Sequence, residues 1–268
     1  MIKYVLFDLD GTLTDSAAGI INSIKYAAKK LELSEPSPKT LQKFIGPPIA
    51  YSFEHFLGLD ADTVRRAITA YREYFSERGI FENRVYDGVP KMLERLRDSG
   101  IKLAVATSKP EVFALRIADK FNLRGYFECI CGAPLDNPKS TKADVIRRAL
   151  EILKCDKGST VMVGDRSYDV AGAAACGIPC IGVLYGYGEA GELESAGAAA
   201  VCKSCEELCG VILSGLKVHA YIQKPHPKKS GVAFLSHYLH FCGLCAVLCA
   251  SHHCAEASQR FFCCGYSA

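Results

Sequence analysis

The chain has 268 residues, a formal net charge of +3 and a hydrophobic fraction of 49%. This length can bury a sizeable core, arranged as one large domain or two modest ones. The small net charge and the lack of a basic stripe with interleaved aromatics argue against a nucleic-acid polymer as partner. Because Met1-Ile2-Lys3 leads straight into an apolar run, with no signal peptide, we expect a cytoplasmic protein whose fourteen cysteines are mostly reduced thiols.

The first predicted strand is the apolar run Tyr4–Phe7, which is followed directly by Asp8-Leu9-Asp10-Gly11-Thr12. Side chains along a strand alternate between its faces, so Asp8 and Asp10 should project to the same side. Two carboxylates so close at the end of a buried strand repel each other, and a cation or a shared proton would relieve that repulsion. The alternative is an ordinary acidic turn after a first strand.

Helical and extended patterns then follow in two blocks. Four helical segments separated by Gly46-Pro47-Pro48 and Gly58 predict a compact insert, over residues 16–33, 38–44, 49–57 and 60–79. From residue 90 onward, helices alternate with short apolar strands: helices at 90–99, 110–121, 141–153 and 168–176, strands at 101–106, 127–131, 160–163 and 178–183. This alternation predicts a parallel sheet covered on both faces, with ligands bound beyond the carboxyl ends of its strands.

Chemically useful side chains recur at those strand ends. Thr107 and Ser108 follow the strand 101–106, Lys142 begins a helical pattern, and Asp165 and Asp169 follow the strand 160–163. With these motifs in this order, the sequence resembles the haloacid dehalogenase-like hydrolases, specifically the phosphatases close to phosphoglycolate phosphatase, over about residues 1–216. The resemblance implies a doubly wound parallel-sheet α/β core, Rossmann-like, formed by residues 1–14 and 85–216. An α-helical cap, residues 15–84, would be inserted into it.

The resemblance also implies a mechanism, that of a magnesium-dependent phosphatase forming an aspartyl-phosphate intermediate on a small phosphate monoester. Asp8 would be the nucleophile, and Asp10 would protonate the leaving oxygen and later take a proton from water. Mg²⁺ would be held by Asp8, the backbone carbonyl of Asp10, Asp165 and Asp169. As an alternative, Asp169 could simply be an acidic residue in the first turn of a helix, where the macrodipole favours it.

The phosphoryl group would be bound, by the same resemblance, by Thr107, Ser108 and Lys142. Each has a plainer interpretation. Thr107 could cap the helix that begins near Pro110, although a cap and a phosphate ligand can coexist. Lys142 could be a solvated lysine at a helix start, and Lys139 lies close enough in sequence to compete for its role.

Substrate recognition is assigned to the cap, where Lys43, Gly46 and Pro47 resemble the family's substrate-facing loop. A helix-breaking corner without a ligand is the alternative. The partner would be a small phosphorylated metabolite such as 2-phosphoglycolate or a nucleoside monophosphate, or more remotely pyrophosphate or phosphotyrosine. A monomer or homodimer is expected.

Neighbouring activities on the same scaffold remain as alternatives. Dehalogenases related to this family lack an acid at the position of Asp10, and the family's phosphosugar mutases carry a histidine in the first cap helix. Residues 17–28 contain no histidine, so hydrolysis is favoured over a phosphotransferase or mutase. A non-catalytic binding protein on the same fold is the third hypothesis.

Three further segments have a composition that could bind a ligand or cross a membrane. The loop Tyr185-Gly186-Tyr187-Gly188 could cradle phosphate or be a flexible turn. Cys202, Cys205 and Cys209 have a spacing that a metal could use. Residues 217–268 change composition where the resemblance ends: they could hold a membrane span at 232–250 or a Cys/His zinc site, and we expect an appendage unrelated to catalysis.

Overall fold

The computed structural model describes residues 1–135 and 140–215, and a parallel β-sheet is its central feature. Eight strands occur in this part of the chain: β1 (Tyr4–Phe7), β2 (Thr14–Asp15), β3 (Arg84–Val85), β4 (Lys102–Pro110), β5 (Cys129–Ala133), β6 (Thr160–Gly164), β7 (Cys180–Val183) and β8 (Ala200–Cys202). Six of them form one sheet in the order β5-β4-β1-β6-β7-β8, and every pairing in it is parallel. The strand that carries Asp8 therefore lies at the centre, between β4 and β6.

Ten α-helices connect and cover these strands in the described residues. They are α1 (Ala17–Lys30), α2 (Pro38–Lys43), α3 (Ile49–Leu57), α4 (Ala61–Glu77), α5 (Val89–Asp98), α6 (Glu111–Lys120), α7 (Lys142–Leu153), α8 (Ser167–Cys176), α9 (Glu192–Ala196) and α10 (Cys205–Ser214).

The sheet is buried on both faces because successive strand residues enter different apolar layers. Val5 and Phe7 join the layer that includes α5, α6 and α10, whereas Leu6 joins the layer formed with α7 and α8. All three side chains are fully buried, and burial of each stabilises the fold by roughly 1.5–3 kcal/mol. Both sides of β1 are therefore apolar, and the next charged side chain, that of Asp8, comes directly after its carboxyl end.

The helices α1 to α4 form the predicted insert between β2 and β3. These two short strands pair antiparallel, Thr14 with Val85 and Asp15 with Arg84, where the chain leaves and re-enters the core. Apolar side chains of α1, α3 and α4 such as Ile24, Phe53 and Ala67 are buried in the insert. The predicted fold class, a doubly wound parallel core with an inserted helical cap, is confirmed.

Some element bounds differ from those predicted from sequence. Helix α1 ends at Lys30 instead of residue 33, and β4 extends to Pro110 instead of ending at 106. Five elements are not predicted from the sequence pattern, and most of them are too short for a period to be counted: β2, β3, β8, α9 and α10. Lys139 and the predicted appendage 217–268, with its membrane-span and zinc alternatives, lie outside the described residues. Within residues 1–135 and 140–215, no helix is long and apolar enough to cross a bilayer.

Candidate active site

Asp8 follows β1 directly and is held by a buried lysine. The Lys142 Nζ atom lies 2.8 Å from Asp8 Oδ1, 2.7 Å from Asp169 Oδ1 and 3.1 Å from the Ala106 carbonyl oxygen. The Leu9 amide also donates to Asp8 Oδ1 at 2.8 Å. Burial raises the pKa of Asp8, and although Lys142 opposes this, Asp169 adds to it, so the pKa lies above its usual value. Lys142 is thus the cation that opposes this rise in the pKa of Asp8.

Lys142 reaches this position because it is the first residue of α7. Thr141 caps the helix because its hydroxyl accepts a hydrogen bond from the Asp144 amide, while the Thr141 amide donates one to the Asp144 carboxylate. Burial lowers the pKa of Lys142, but the charges of Asp169 and Asp8 outweigh it and raise the pKa above its usual value. A solvated helix-start lysine, the alternative from the sequence, does not describe this residue.

Asp10 has a different lysine partner. Lys109 Nζ donates to Asp10 Oδ2 at 2.7 Å, and the lysine side chain is almost fully buried, with its ammonium 4.7 Å from the centre of the Phe75 ring. The other carboxylate oxygen, Asp10 Oδ1, is buried and makes no hydrogen bond to the described residues. An acceptor in that state is suited to exchange a proton with a bound reactant.

Asp165 and Asp169 complete the group of carboxylates beside Asp8. The Tyr187 amide donates to Asp165 Oδ2 at 2.8 Å, and the Arg166 amide donates to Asp169 Oδ2 at 3.1 Å. Asp165 packs so tightly against Gly11 that a Cβ there would come within 2.1 Å of it, and Gly11 also has a φ of +81°. Both features require glycine at that turn. Asp169 does lie in the first turn of α8, so its capping position and its place in the carboxylate group coexist.

The donor set fits a divalent cation. One carboxylate oxygen from each of Asp8, Asp165 and Asp169 lies within 4.8 Å of the others, the one such group of His, Cys, Asp or Glu in the described residues. If Asp8, Asp10, Asp165 and Asp169 were all ionised, they would carry two more negative charges than Lys109 and Lys142 offset. Burial, followed by the charges of Asp169 and Asp8, raises the pKa of Asp165 well above its usual value. An oxygen-only set of this kind suits Mg²⁺; Cys202, Cys205 and Cys209 form no comparable group.

Thr107 and Ser108 lie at the end of β4 beside the same carboxylates. Thr107 is buried, its Oγ1 accepts a hydrogen bond from the Lys109 amide at 3.2 Å, and both residues line a cavity together with Asp8 and Asp10. Helix α6 begins at Glu111 with Pro110 at its cap position. The alternative that Thr107 caps this helix is therefore wrong.

The cavity lies between the carboxyl end of the sheet and the helical insert, and it has a volume of about 90 Å³. Its core side includes Asp8, Asp10 and Thr107. Its insert side is largely apolar and consists of Ile20, Phe44, Gly46, Pro47, Pro48, Ile49, Tyr71, Arg72 and Phe75. Of the three predicted cap-loop residues, Gly46 and Pro47 line the cavity. Lys43 does not: it ends α2 with its side chain exposed to solvent, so the structure gives no support to a substrate contact there.

Three residues that organise the site are not predicted from the sequence: Lys109, Arg166 and Tyr187. Lys109 was passed over because nothing in the sequence pairs it with Asp10. Arg166 links the loop after β6 to the insert through the Ile45 carbonyl oxygen. Tyr187 holds Asp165 with its amide, and its hydroxyl donates to Asp15 and accepts from the Ala17 amide. The loop 185–188 therefore binds Asp165 and the start of the insert, which differs from both interpretations offered from sequence.

Known proteins of similar sequence and fold were found for most of this chain. Residues 5–183 match the sequence profile described as haloacid dehalogenase-like hydrolase. The chain is 43% identical over 191 residues to a 5'-nucleotidase of Pseudomonas aeruginosa, covering 71% of this chain and 86% of that protein. It is also 43% identical over 188 residues to the tyrosine-protein kinase PtkA of Mycobacterium tuberculosis, covering 70% of this chain and 64% of PtkA. The crystal structure of a predicted phosphatase from Clostridium acetobutylicum superposes with a TM-score of 0.77 at 48% identity, covering 80% of this chain and 99% of that one.

Proposed function

Since this chain belongs to the haloacid dehalogenase-like hydrolases and is a phosphoric monoester hydrolase, we propose that it cleaves a small phosphate monoester through an aspartyl-phosphate on Asp8. The observation that carries the proposal is the pairing of Asp8 and Asp10 on one cavity, each with its own buried lysine, beside a three-carboxylate group. This arrangement supplies a nucleophile and a proton carrier on one cavity, with a cation site beside them.

The reaction takes place in two displacements at phosphorus. In the first, Asp8 attacks the phosphoryl group while Asp10 gives a proton to the departing ester oxygen, releasing the alcohol. In the second, Asp10 takes a proton from water, which attacks the phosphoryl group on Asp8 and releases inorganic phosphate. Lys142 offsets the negative charge on Asp8 and on the phosphoryl oxygens, and Thr107 and Ser108 bind those oxygens. Mg²⁺, held by Asp8, Asp165, Asp169 and the Asp10 carbonyl, would supply charge neutralisation that brings two anions together.

We propose two candidate substrates, a two-carbon ester such as 2-phosphoglycolate and a nucleoside monophosphate. The P. aeruginosa relative's name supports the nucleotide. The cavity of about 90 Å³ supports the smaller ester, because sites for larger ligands typically have volumes of about 300–1,000 Å³. A nucleotide would need the helical insert to move further from the core. The name of PtkA favours phosphoryl transfer to a hydroxyl acceptor as the second candidate function.

The proposal also covers the organisation of the chain. The core would comprise residues 1–14 and 85–216, the cap residues 15–84, and an appendage residues 217–268. The enzyme would work in the cytoplasm as a monomer or homodimer on a small phosphorylated metabolite.

Phosphate release from a panel of phosphate esters tests the proposal and the metal requirement together. We expect turnover with Mg²⁺, loss of turnover with EDTA and recovery when Mg²⁺ is returned. Ca²⁺ should inhibit, since it takes more ligands at longer distances and disturbs the in-line geometry of Asp8. Undiminished turnover after exhaustive chelation contradicts the metal site. Running the panel with tyrosine or a sugar as acceptor separates transfer, which yields a new ester, from hydrolysis.

The cap loop, residues 44–48, should control selectivity more than chemistry. Pro47→Ala is expected to change the ranking among phosphate esters by about tenfold, while the rate on a small artificial ester changes less, because only the larger leaving groups reach the loop. Lys43→Ala is the matched control, since its exposed side chain lies outside the cavity lining. If Pro47→Ala lowers every rate by one factor, the loop acts in closure or stability instead of recognition.

A further inference from the structure

Arg166 connects the loop that carries Asp165 and Asp169 to the loop that covers the cavity. We propose that Arg166, oriented by Glu192, is a positioning residue that holds the cap loop (residues 44–48) closed over the reactants. The inference rests on the proposed function for its kinetic part, and its structural part can be measured separately.

The cap end of this link is a short hydrogen bond to backbone. Arg166 Nη1 donates to the Ile45 carbonyl oxygen at 2.6 Å, and the next two residues, Gly46 and Pro47, line the cavity. Gly46 has a φ of +109°, and a Cβ at this position would lie 3.1 Å from Arg166 Nη1. The glycine thus permits both the turn of the loop and the close approach of the guanidinium group.

The core end of the link fixes the direction of the guanidinium. Arg166 Nε lies 3.0 Å from Glu192 Oε1 and 3.2 Å from Oε2, and the two side chains are only 17% and 14% exposed. Glu192 is itself held in place by the amides of Ser167 at 2.7 Å and Glu189 at 3.0 Å. A lysine could reach one of these acceptors, but only the planar fork of arginine serves Glu192 and Ile45 together.

Arg166 lies in the chain next to the candidate metal ligands. Its own amide donates to Asp169 Oδ2 at 3.1 Å, and it directly follows Asp165. Arg166 therefore belongs to the loop with the candidate metal carboxylates and contacts the loop over the cavity. A second contact between insert and core, Arg72 Nη2 to the Leu135 carbonyl oxygen at 3.1 Å, remains when Arg166 is replaced, so the insert should stay folded and docked.

Because the guanidinium touches the cap loop and not the cavity's carboxylates, its loss should weaken substrate retention more than the chemical step. For Arg166→Gln we expect at least a tenfold rise in KM with kcat within about threefold. Glu192→Gln, which keeps the shape but loses the charge that orients Arg166, should shift KM in the same direction by less. Arg166→Lys should not restore the wild-type KM.

Hydrogen exchange supplies a readout that does not depend on activity. The full-length Arg166→Gln protein should exchange the amides of the segment 41–53 at least tenfold faster than wild type, with the strands β1, β4 and β6 unchanged. Arg65→Gln is the matched control, since Arg65 is an exposed cap arginine paired with Asp62. The proposal is overturned if segment 41–53 exchanges as in Arg65→Gln, if all strands exchange faster together, or if only the apparent Mg²⁺ affinity changes. If no ester is hydrolysed by the wild type while segment 41–53 still responds, the proposed function fails but the positioning role stands.

Discussion

Asp8→Asn is expected to lower kcat by at least about 10³-fold, because an amide cannot act as the nucleophile that the first displacement requires. The fold should survive. Burial and Asp169 raise the pKa of Asp8 despite Lys142, so the ionised carboxylate is less favourable in the folded chain than in the unfolded one. Removing that charge should leave the melting temperature unchanged or higher.

The measurement for this first prediction is kcat alongside thermal unfolding, with Asp98→Asn as the control. Asp98 is an exposed aspartate at the end of α5, and its replacement should change neither quantity. Wild-type turnover in Asp8→Asn would show that Asp8 is not the nucleophile. A large drop in melting temperature instead indicates that Asp8 acts mainly as the structural partner of Lys142.

Lys142→Ala is the second large expected effect, with a loss of about 10²- to 10³-fold in kcat. Lys142 is the sole described cation within 2.8 Å of both Asp8 and Asp169, so its removal leaves neighbouring carboxylates without their partner. Lys142→Ala should also lower the free energy of unfolding by about 3–5 kcal/mol, as is typical when one member of a buried ion pair is deleted. Added Mg²⁺ should recover part of the stability, since it supplies positive charge to the same group.

Lys139→Ala is the matched control for Lys142→Ala, because it competes for the same role on sequence grounds alone. Steady-state kinetics and chemical unfolding of both variants decide between them. We expect Lys139→Ala to stay within about threefold of wild type. If instead Lys139→Ala has the larger defect in kcat, the charge-neutralising role must be reassigned to it.

The sheet and its edge were predictable because their physical signals are strong. A short apolar run such as Tyr4–Phe7, with turn residues after it, is typical of a strand buried on both faces, and the polar residue that follows then lies at the carboxyl end of the sheet. The same reasoning predicts Asp8, Thr107 and Asp165 at the carboxyl end of the sheet. In the structure Asp8 and Thr107 line one cavity, and Asp165 lies beside Asp8 in the carboxylate group. Lys142 was found because it begins a strongly amphipathic helix at a position that the family resemblance also marks.

The partners of these residues could not be predicted in the same way. Lys109 and Asp10 are 99 positions apart in sequence, and a contact at that separation leaves no local period to read. Arg166 could have been noticed as an arginine between two functional aspartates, but its acceptor is a backbone carbonyl, which carries no sequence signature. The cap loop was predicted only in part: Gly46 and Pro47 line the cavity as expected, but Lys43 does not. Helix breakers mark the corner at Gly46, but they do not show that Lys43 faces solvent.

Covalent trapping at Asp8 tests the central claim most directly. Wild-type protein should be mixed with the best ester from the panel, quenched in acid within the first turnovers, and reduced with borohydride, which converts an aspartyl-phosphate to homoserine. Peptide mass spectrometry is expected to find homoserine in place of Asp8 with substrate and Mg²⁺ present, and unmodified Asp8 when either is omitted. Two results would contradict the account: homoserine or phosphate at a residue other than Asp8, or no homoserine at Asp8 in samples quenched within the first turnovers.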